Sequence, residues 1–216
     1  MPAIMTSRQA AELNHAFERN GWTAEDVKEL SKGNTLAKIL RDLRGQVETK
    51  KEIKTEALID FFGTVTFSAR SEKFNPRDNF VVDTSKNAKV KIWGLGQRFE
   101  EEFLDKIEES SDGYNVCYGN LRKPLNDNQI FGELGGKEGV AVELADIFSL
   151  MKKQRNGESG VLLNNGYTNI FYVCNSAGVL RAVGVSWLGD GCYVRAHPVD
   201  GPYPWHDGGR VFSRNS

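Results

Sequence analysis

The chain has 216 residues, enough for one or two domains with a real core. Hydrophobic residues make up 39% and charged residues 26%, the balance of a folded soluble protein. A formal net charge of −1 supplies no overall field toward nucleic acid or anionic lipid, and no apolar run of about 18 residues marks a membrane span.

The opening MPAIMTSRQAAEL has neither a charged n-region nor an apolar h-region, so no secretory signal is expected. Cys117, Cys174 and Cys192 are too few and too irregular for a disulfide scaffold, which points to a reducing, cytoplasmic setting.

Three short helices are expected in residues 1–45. The first, about Ser7 to Arg19, sets Ala10, Leu13 and Phe17 on one face, and Asn20-Gly21 stops it. Thr23 is an N-cap with Asp26 three residues on, and Trp22 and Val27 are placed as a hydrophobic staple. The second helix ends near Gly33. A third begins after Asn34 or Thr35, with Leu36, Ile39, Leu40 and Leu43 as its buried stripe. The span Glu25 to Leu43 has the length of a helix-turn-helix. However, Glu29 stands where close packing wants a small residue, and Asp42 where it wants an apolar one. A packing or partner-contact bundle is the better account, and nucleic acid is disfavoured as a partner.

Residues 46–58 are charged, with lysines interleaved with glutamates, and form a solvated helix or linker. From Phe61 the period changes to two: Val65 and Phe67 alternate with Thr64, Thr66 and Ser68. Phe80 to Val82 and Lys89 to Trp93 are expected as further strands. A helix over about Gln97 to Glu109 follows, with Phe99, Phe103 and Ile107 inward, Glu100, Glu101 and Glu108 outward, and Glu102 able to pair with Lys106.

Trp93-Gly94-Leu95-Gly96 begins like a dinucleotide fingerprint. Phe99 replaces the third glycine, and Glu100, Glu101 and Glu102 would repel a pyrophosphate at the helix start. A Walker loop around Lys137 fails as well, with Phe131 and Glu138 at its required positions. Gln129 to Leu134 is expected as a strand. A helix follows from about Val140 to Arg155, with Leu144, Ile147, Phe148 and Met151 buried and Glu143 and Asp146 on a solvated face.

Thr168 to Pro198 carries three apolar runs separated by Asn175-Ser176-Ala177-Gly178 and Leu188-Gly189-Asp190-Gly191. This is a three-stranded antiparallel meander, with Asp190-Gly191 expected to take the positive angles of the second turn. In its last strand Cys192, Val194 and Ala196 face the core, and Tyr193, Arg195 and His197 face away. In its middle strand the small residues Ala182, Gly184 and Ser186 invite close approach by another element. Cys192 and His197 fall on opposite sides, which disfavours a nucleophile pair. Cys174, Cys192, His197 and His206 lack the spacing of a zinc site, so no metal or other cofactor is expected.

The tail from Val199 takes an irregular path set by Pro198, Pro202 and Pro204, with Tyr203 and Trp205 expected to fold back onto the sheet. Val211 and Phe212 add a short closing strand.

The stretches NGWTAEDVKELSKGNTLAKIL, DNFVVDTSKNAKVKIWGLG, GVLLNNGYTNIFYV and GRVFSRNS resemble a family of uncharacterised bacterial proteins, common in lineages with reduced genomes. The likeness spans most of the chain and implies one evolved unit. No activity is assigned to that family, so the resemblance implies no catalytic residue.

The expected fold is α+β: an N-terminal three-helix module over residues 1–45, and an α+β domain over 59–216 whose mostly antiparallel sheet carries two helices. The expected function is non-catalytic binding of a protein or small molecule. Tyr193, Arg195, His197, Trp205, His206, Asp207 and Arg210 are the candidate binding set, since arginine and tyrosine are favoured at recognition hot spots. The alternatives are a hydrolase or nuclease built on His197, His206 and Asp207, and DNA association through the N-terminal helices.

Overall fold

The computed structural model describes residues 5–33, 35, 36, 39 and 57–214. The chain divides into two compact units, Met1–Thr55 and Glu56–Ser216. No helix among the described residues is long and apolar enough to cross a membrane.

In the first unit α1 spans Ser7–Arg19 and α2 spans Ala24–Leu30. Both begin with a capping box, Thr6 with Gln9 and Thr23 with Asp26, so the orphan amides of each first turn are met locally. Trp22 packs on Phe17, ring centroids 5.1 Å apart. The expected third helix falls largely outside the described residues, as do residues 46–56 of the charged joint. Leu36 and Ile39, both expected to be buried, are exposed.

The second unit is a mixed α+β structure on a seven-stranded, mostly antiparallel sheet. Its strands are β1 (Ile59–Phe67), β2 (Ile92–Leu95), β3 (Tyr114–Leu121), β4 (Thr168–Cys174), β5 (Leu180–Leu188), β6 (Gly191–Pro198) and β7 (Arg210–Arg214). They lie in the order β1-β3-β7-β4-β5-β6-β2. Only β2 on β6 and β4 on β7 are parallel pairs. The helices of this unit are α3 (Pro76–Asn79), α4 (Gln97–Phe103), α5 (Asp127–Glu133) and α6 (Leu144–Lys153).

The meander β4-β5-β6 forms as its pattern requires, with every pair antiparallel. At its second turn Leu188 pairs with Gly191, leaving Gly189-Asp190 as a two-residue loop. The positive angle falls on Gly189, at φ 63°, and not on Asp190-Gly191. A glycine at the first loop position suits the primed turn whose twist matches its strands.

Both faces of the sheet are covered. On one face Phe171, Val183, Val194 and Phe212 pack with Phe99 and Phe103 of α4 and with Leu144, Ile147, Phe148 and Met151 of α6. On the other, Ile170, Tyr172, Ala182 and Val211 pack with Ile130 and Phe131 of α5. The small residues of β5 do admit another element, α5 beside Ala182. Double burial also explains β7. Val211 and Phe212 are fully buried on opposite faces, so this strand lies inside the sheet, third of seven, rather than closing an edge.

Several expectations change. Gln129–Leu134 is not a strand. Asn126 and Gln129 form a capping box that starts α5, and Ile130 and Phe131 are its buried pair. Phe80–Val82 is not a strand either: Phe80 ends α3 in the core, while Val81 and Val82 are exposed. The helix expected to run to Glu109 stops at Phe103, and Ile107 is exposed. Glu102 bonds to Arg181 and Asn175 rather than to Lys106. Gly94 and Gly96 have a packing reason. A Cβ at Gly94 would meet the Tyr193 ring at 3.0 Å, and one at Gly96 would meet the Arg195 stem at 3.2 Å.

The start of α6 is polar but not solvated. Its N-cap, Glu143, makes no side-chain cap bond. Glu108, only 5% exposed, does that work from a distant loop, accepting from the Leu144 and Ala145 amides at 2.9 Å each. Lys106 pairs with it at 2.9 Å. Glu143 pairs with Arg70 at 2.8 Å, and Asp146 accepts from the Tyr114 hydroxyl.

Burial pushes the Asp146 carboxyl up to about 6, with the nearby Glu143 and Glu108 charges adding to it and the Tyr114 hydrogen bond opposing it. The folded acid therefore holds its proton more tightly than the unfolded one, whose value is near 3.8. Its contribution to stability is full below the unfolded value and declines as pH rises through about 6. Asp146→Asn removes that decline. Urea unfolding at about pH 4 and about pH 7 should show the variant gaining on the wild type at the higher pH. A difference between the two proteins that stays constant with pH would contradict the assignment.

Candidate functional site

On the α5 face of the sheet, side chains of β4 and β6 form the floor of a pocket of about 730 Å³. Thr168 and Ile170 come from β4, and Arg195 and His197 from β6. One wall is the turn Asn165-Gly166-Tyr167. The other is the segment Pro198 to Trp205, whose three prolines hold it away from regular pairing. Trp205 pins that segment through two backbone bonds with Leu125, of 2.8 and 3.1 Å.

Trp205 is the central side chain. Its indole N–H donates to Asp127 Oδ1 at 2.8 Å, and the buried Tyr172 hydroxyl donates to the same oxygen at 2.8 Å. The far edge of the indole lies over Gly184, 3.7 Å from where a Cβ would stand. Gly184 is the register partner of Arg195, and a Cβ there would meet Thr168 Cγ2 at 2.9 Å, so the close approach at this point is to Thr168. His197 meets the indole edge-on, with centroids 5.4 Å apart.

The polar groups differ in state. Asp127 is 6% exposed, and burial raises its carboxyl above the ordinary carboxylate value against the pull of its two donors. Burial lowers the His197 imidazole, helped by the Arg195 and Arg98 charges, which favours the neutral ring. Arg195 makes no ion pair or hydrogen bond among the described residues, and its Nε is buried without a partner. His206 lines the pocket but is exposed.

Of the seven candidate residues, Arg195, His197, Trp205 and His206 come together here, and Tyr193, Asp207 and Arg210 do not. Tyr193 shares the face of Arg195 but stacks on Trp93, centroids 4.7 Å apart, toward the β2 edge. Asp207 is exposed, one residue beyond His206. Arg210 shares parity with Phe212 and so belongs to the opposite face of the sheet. There it bonds to Asn120 at 3.0 Å and to the Val161 carbonyl at 2.6 Å. Tyr203, expected to fold back, is 86% exposed, while Trp205 does fold back.

Cys192 is buried on the other face, where burial pushes its thiol up to about 12. It therefore has neither the access nor the thiolate character of a nucleophile. Among the described residues, no three His, Cys, Asp or Glu side chains converge as a metal site requires.

Asp127 and Tyr172 were not foreseen. The available signal for Asp127 was the Asn126…Gln129 capping box, which places it in the first turn of a helix. Comparison of the chain with family models, curated proteins and solved structures finds no match.

Proposed function

We propose that this chain is a non-catalytic binding protein whose ligand occupies the pocket between β6 and the Pro198–Trp205 segment. The observation that carries this is the character of the lining. Tyr167, Tyr203, Trp205, Pro198, Pro202 and Pro204 supply flat, stiff, apolar walls around a few polar groups. The volume of about 730 Å³ is within the range of small-molecule sites, roughly 300–1,000 Å³. Rings and prolines lose little conformational freedom when a ligand docks, which suits recognition.

Hydrolysis draws on the fact that His197 and His206 line one pocket together with a carboxylate, Asp127 rather than Asp207. A general base needs a partner that holds its ring and its proton. Here the bonded Asp127 oxygen is engaged by Trp205 and Tyr172, and no hydrogen bond joins either imidazole to a carboxylate among the described residues. Binding is the better account.

The test is a thermal-shift screen of small aromatic and heteroaromatic compounds against the wild type, Trp205→Ala and Tyr203→Ser. A ligand at 100 times its Kd stabilises the folded state by about 2.7 kcal/mol. Compounds that raise the wild-type Tm should lose most of that effect in Trp205→Ala. Tyr203→Ser alters an exposed ring and keeps the fold, so a weaker shift in that variant reports the pocket and not unfolding. Equal shifts in all three proteins would place the ligand elsewhere.

A further inference from the structure

The pocket holds two opposite charges that do not satisfy each other. Arg195 makes no ion pair or hydrogen bond among the described residues; its guanidinium lies over the Tyr193 ring, 5.4 Å from the centroid. It contributes a buried Nε without a partner and guanidinium donors with no acceptor. Asp127 spends one oxygen on Trp205 and Tyr172, and its Oδ2 accepts nothing among the described residues. That oxygen is not among the buried orphan atoms, so it keeps some access, and Asp127 lines the pocket.

Trp205 separates the two groups. Its N–H end lies against Asp127, and its far edge lies over Gly184, cross-strand from Arg195. An acidic point and a basic point thus stand at opposite ends of one indole, with Tyr167 also lining the space. Arg195 keeps donors without an acceptor and Asp127 keeps Oδ2 without a donor, so a ligand that supplies both gains two charge-assisted hydrogen bonds.

We infer that the ligand is a small zwitterion of the amino-acid class, its carboxylate on Arg195, its ammonium on Asp127 Oδ2 and a flat apolar group against Trp205. This rests on the binding function proposed above. Guanidinium and carboxylate match as paired donors and acceptors. The ammonium gains from the aromatic face as well as from the carboxylate.

Four probes separate the contributions: L-phenylalanine, phenylalaninamide, N-acetylphenylalanine and N-acetylphenylalaninamide, titrated by NMR into the full chain. Phenylalanine should bind at least about tenfold more tightly than either singly charged probe, and the uncharged one most weakly. Asp127→Asn keeps an acceptor for Trp205 and Tyr172, and should erase the preference for phenylalanine over its N-acetyl derivative. Arg195→Gln should erase the preference over the amide. If the uncharged probe binds as tightly as phenylalanine, the inference falls and the pocket stands as an apolar binding site. If none of the four perturbs the pocket residues, both the inference and the binding function fall.

Discussion

Replacing Glu108 with alanine should destabilise the sheet unit by about 3–5 kcal/mol, the range for breaking a buried pair by removing one partner. Glu108 is 5% exposed and holds three donors: the Leu144 and Ala145 amides and the Lys106 ammonium. Its loss orphans two buried amides at the start of α6 and leaves a half-buried ammonium without its acceptor. Domains are stable by only about 5–15 kcal/mol, so a change of this size approaches unfolding. Glu108→Gln keeps one oxygen for one amide and should cost about half as much. Urea unfolding followed by circular dichroism measures both. An alanine variant within about 0.5 kcal/mol of the wild type would mean that this carboxylate is an ordinary surface charge.

Phe212→Ala should cost a further large amount, about 3–5 kcal/mol. Phe212 is fully buried, stacked on Phe171 at 4.3 Å and on Tyr118 at 5.5 Å. It joins β3 to β4 through the strand between them, so the cavity opens inside the sheet, where neighbours on both sides are held by other pairings. Tyr203→Ala, nine residues earlier, removes an equally large ring that touches little and should stay within about 0.5 kcal/mol. Denaturant midpoints with unchanged m-values would report both as stability effects. Similar costs for the two substitutions would contradict the interior position of β7.

The parts of this fold that were legible are those set by local pattern. The β4-β5-β6 meander follows from three apolar runs and compact turns, and residue parity in β6 placed Cys192, Val194 and Ala196 in the core. The buried stripe of α6 followed from helical spacing, although that helix proved shorter than its pattern. What was not legible is non-local. The pairing of β3 with β7 joins residues such as Asn120 and Arg210, far apart in sequence, and nothing near either one announces the other. No local pattern announces β3, and β7, which looks like a closing addition, is an interior strand between β3 and β4.

The candidate site divided along the same line. Arg195 and His197 were found because alternation along one strand is a local rule. Arg210 was misplaced because its face depends on which strands flank β7. Asp127 is hidden in the sequence because Gln129–Leu134 carries a strand-like pattern, although Asp127 is the first residue of a helix. Glu108 was assigned to a solvated helix face because its true partners, the α6 amides, lie 36 and 37 residues on.

Trp205 offers the most direct test of the pocket as a ligand site, because its side chain lines the pocket and its indole N–H donates to Asp127. The chain has four tryptophans, so the indole region of an amide-correlation NMR spectrum is simple to assign by single substitutions. On titration with a compound that raises the Tm of the protein, the Trp205 indole resonance should move in step with binding, while those of Trp93 and Trp187 stay in place. A stabilising compound that shifts Trp93 or Trp187 and leaves Trp205 untouched would contradict the account.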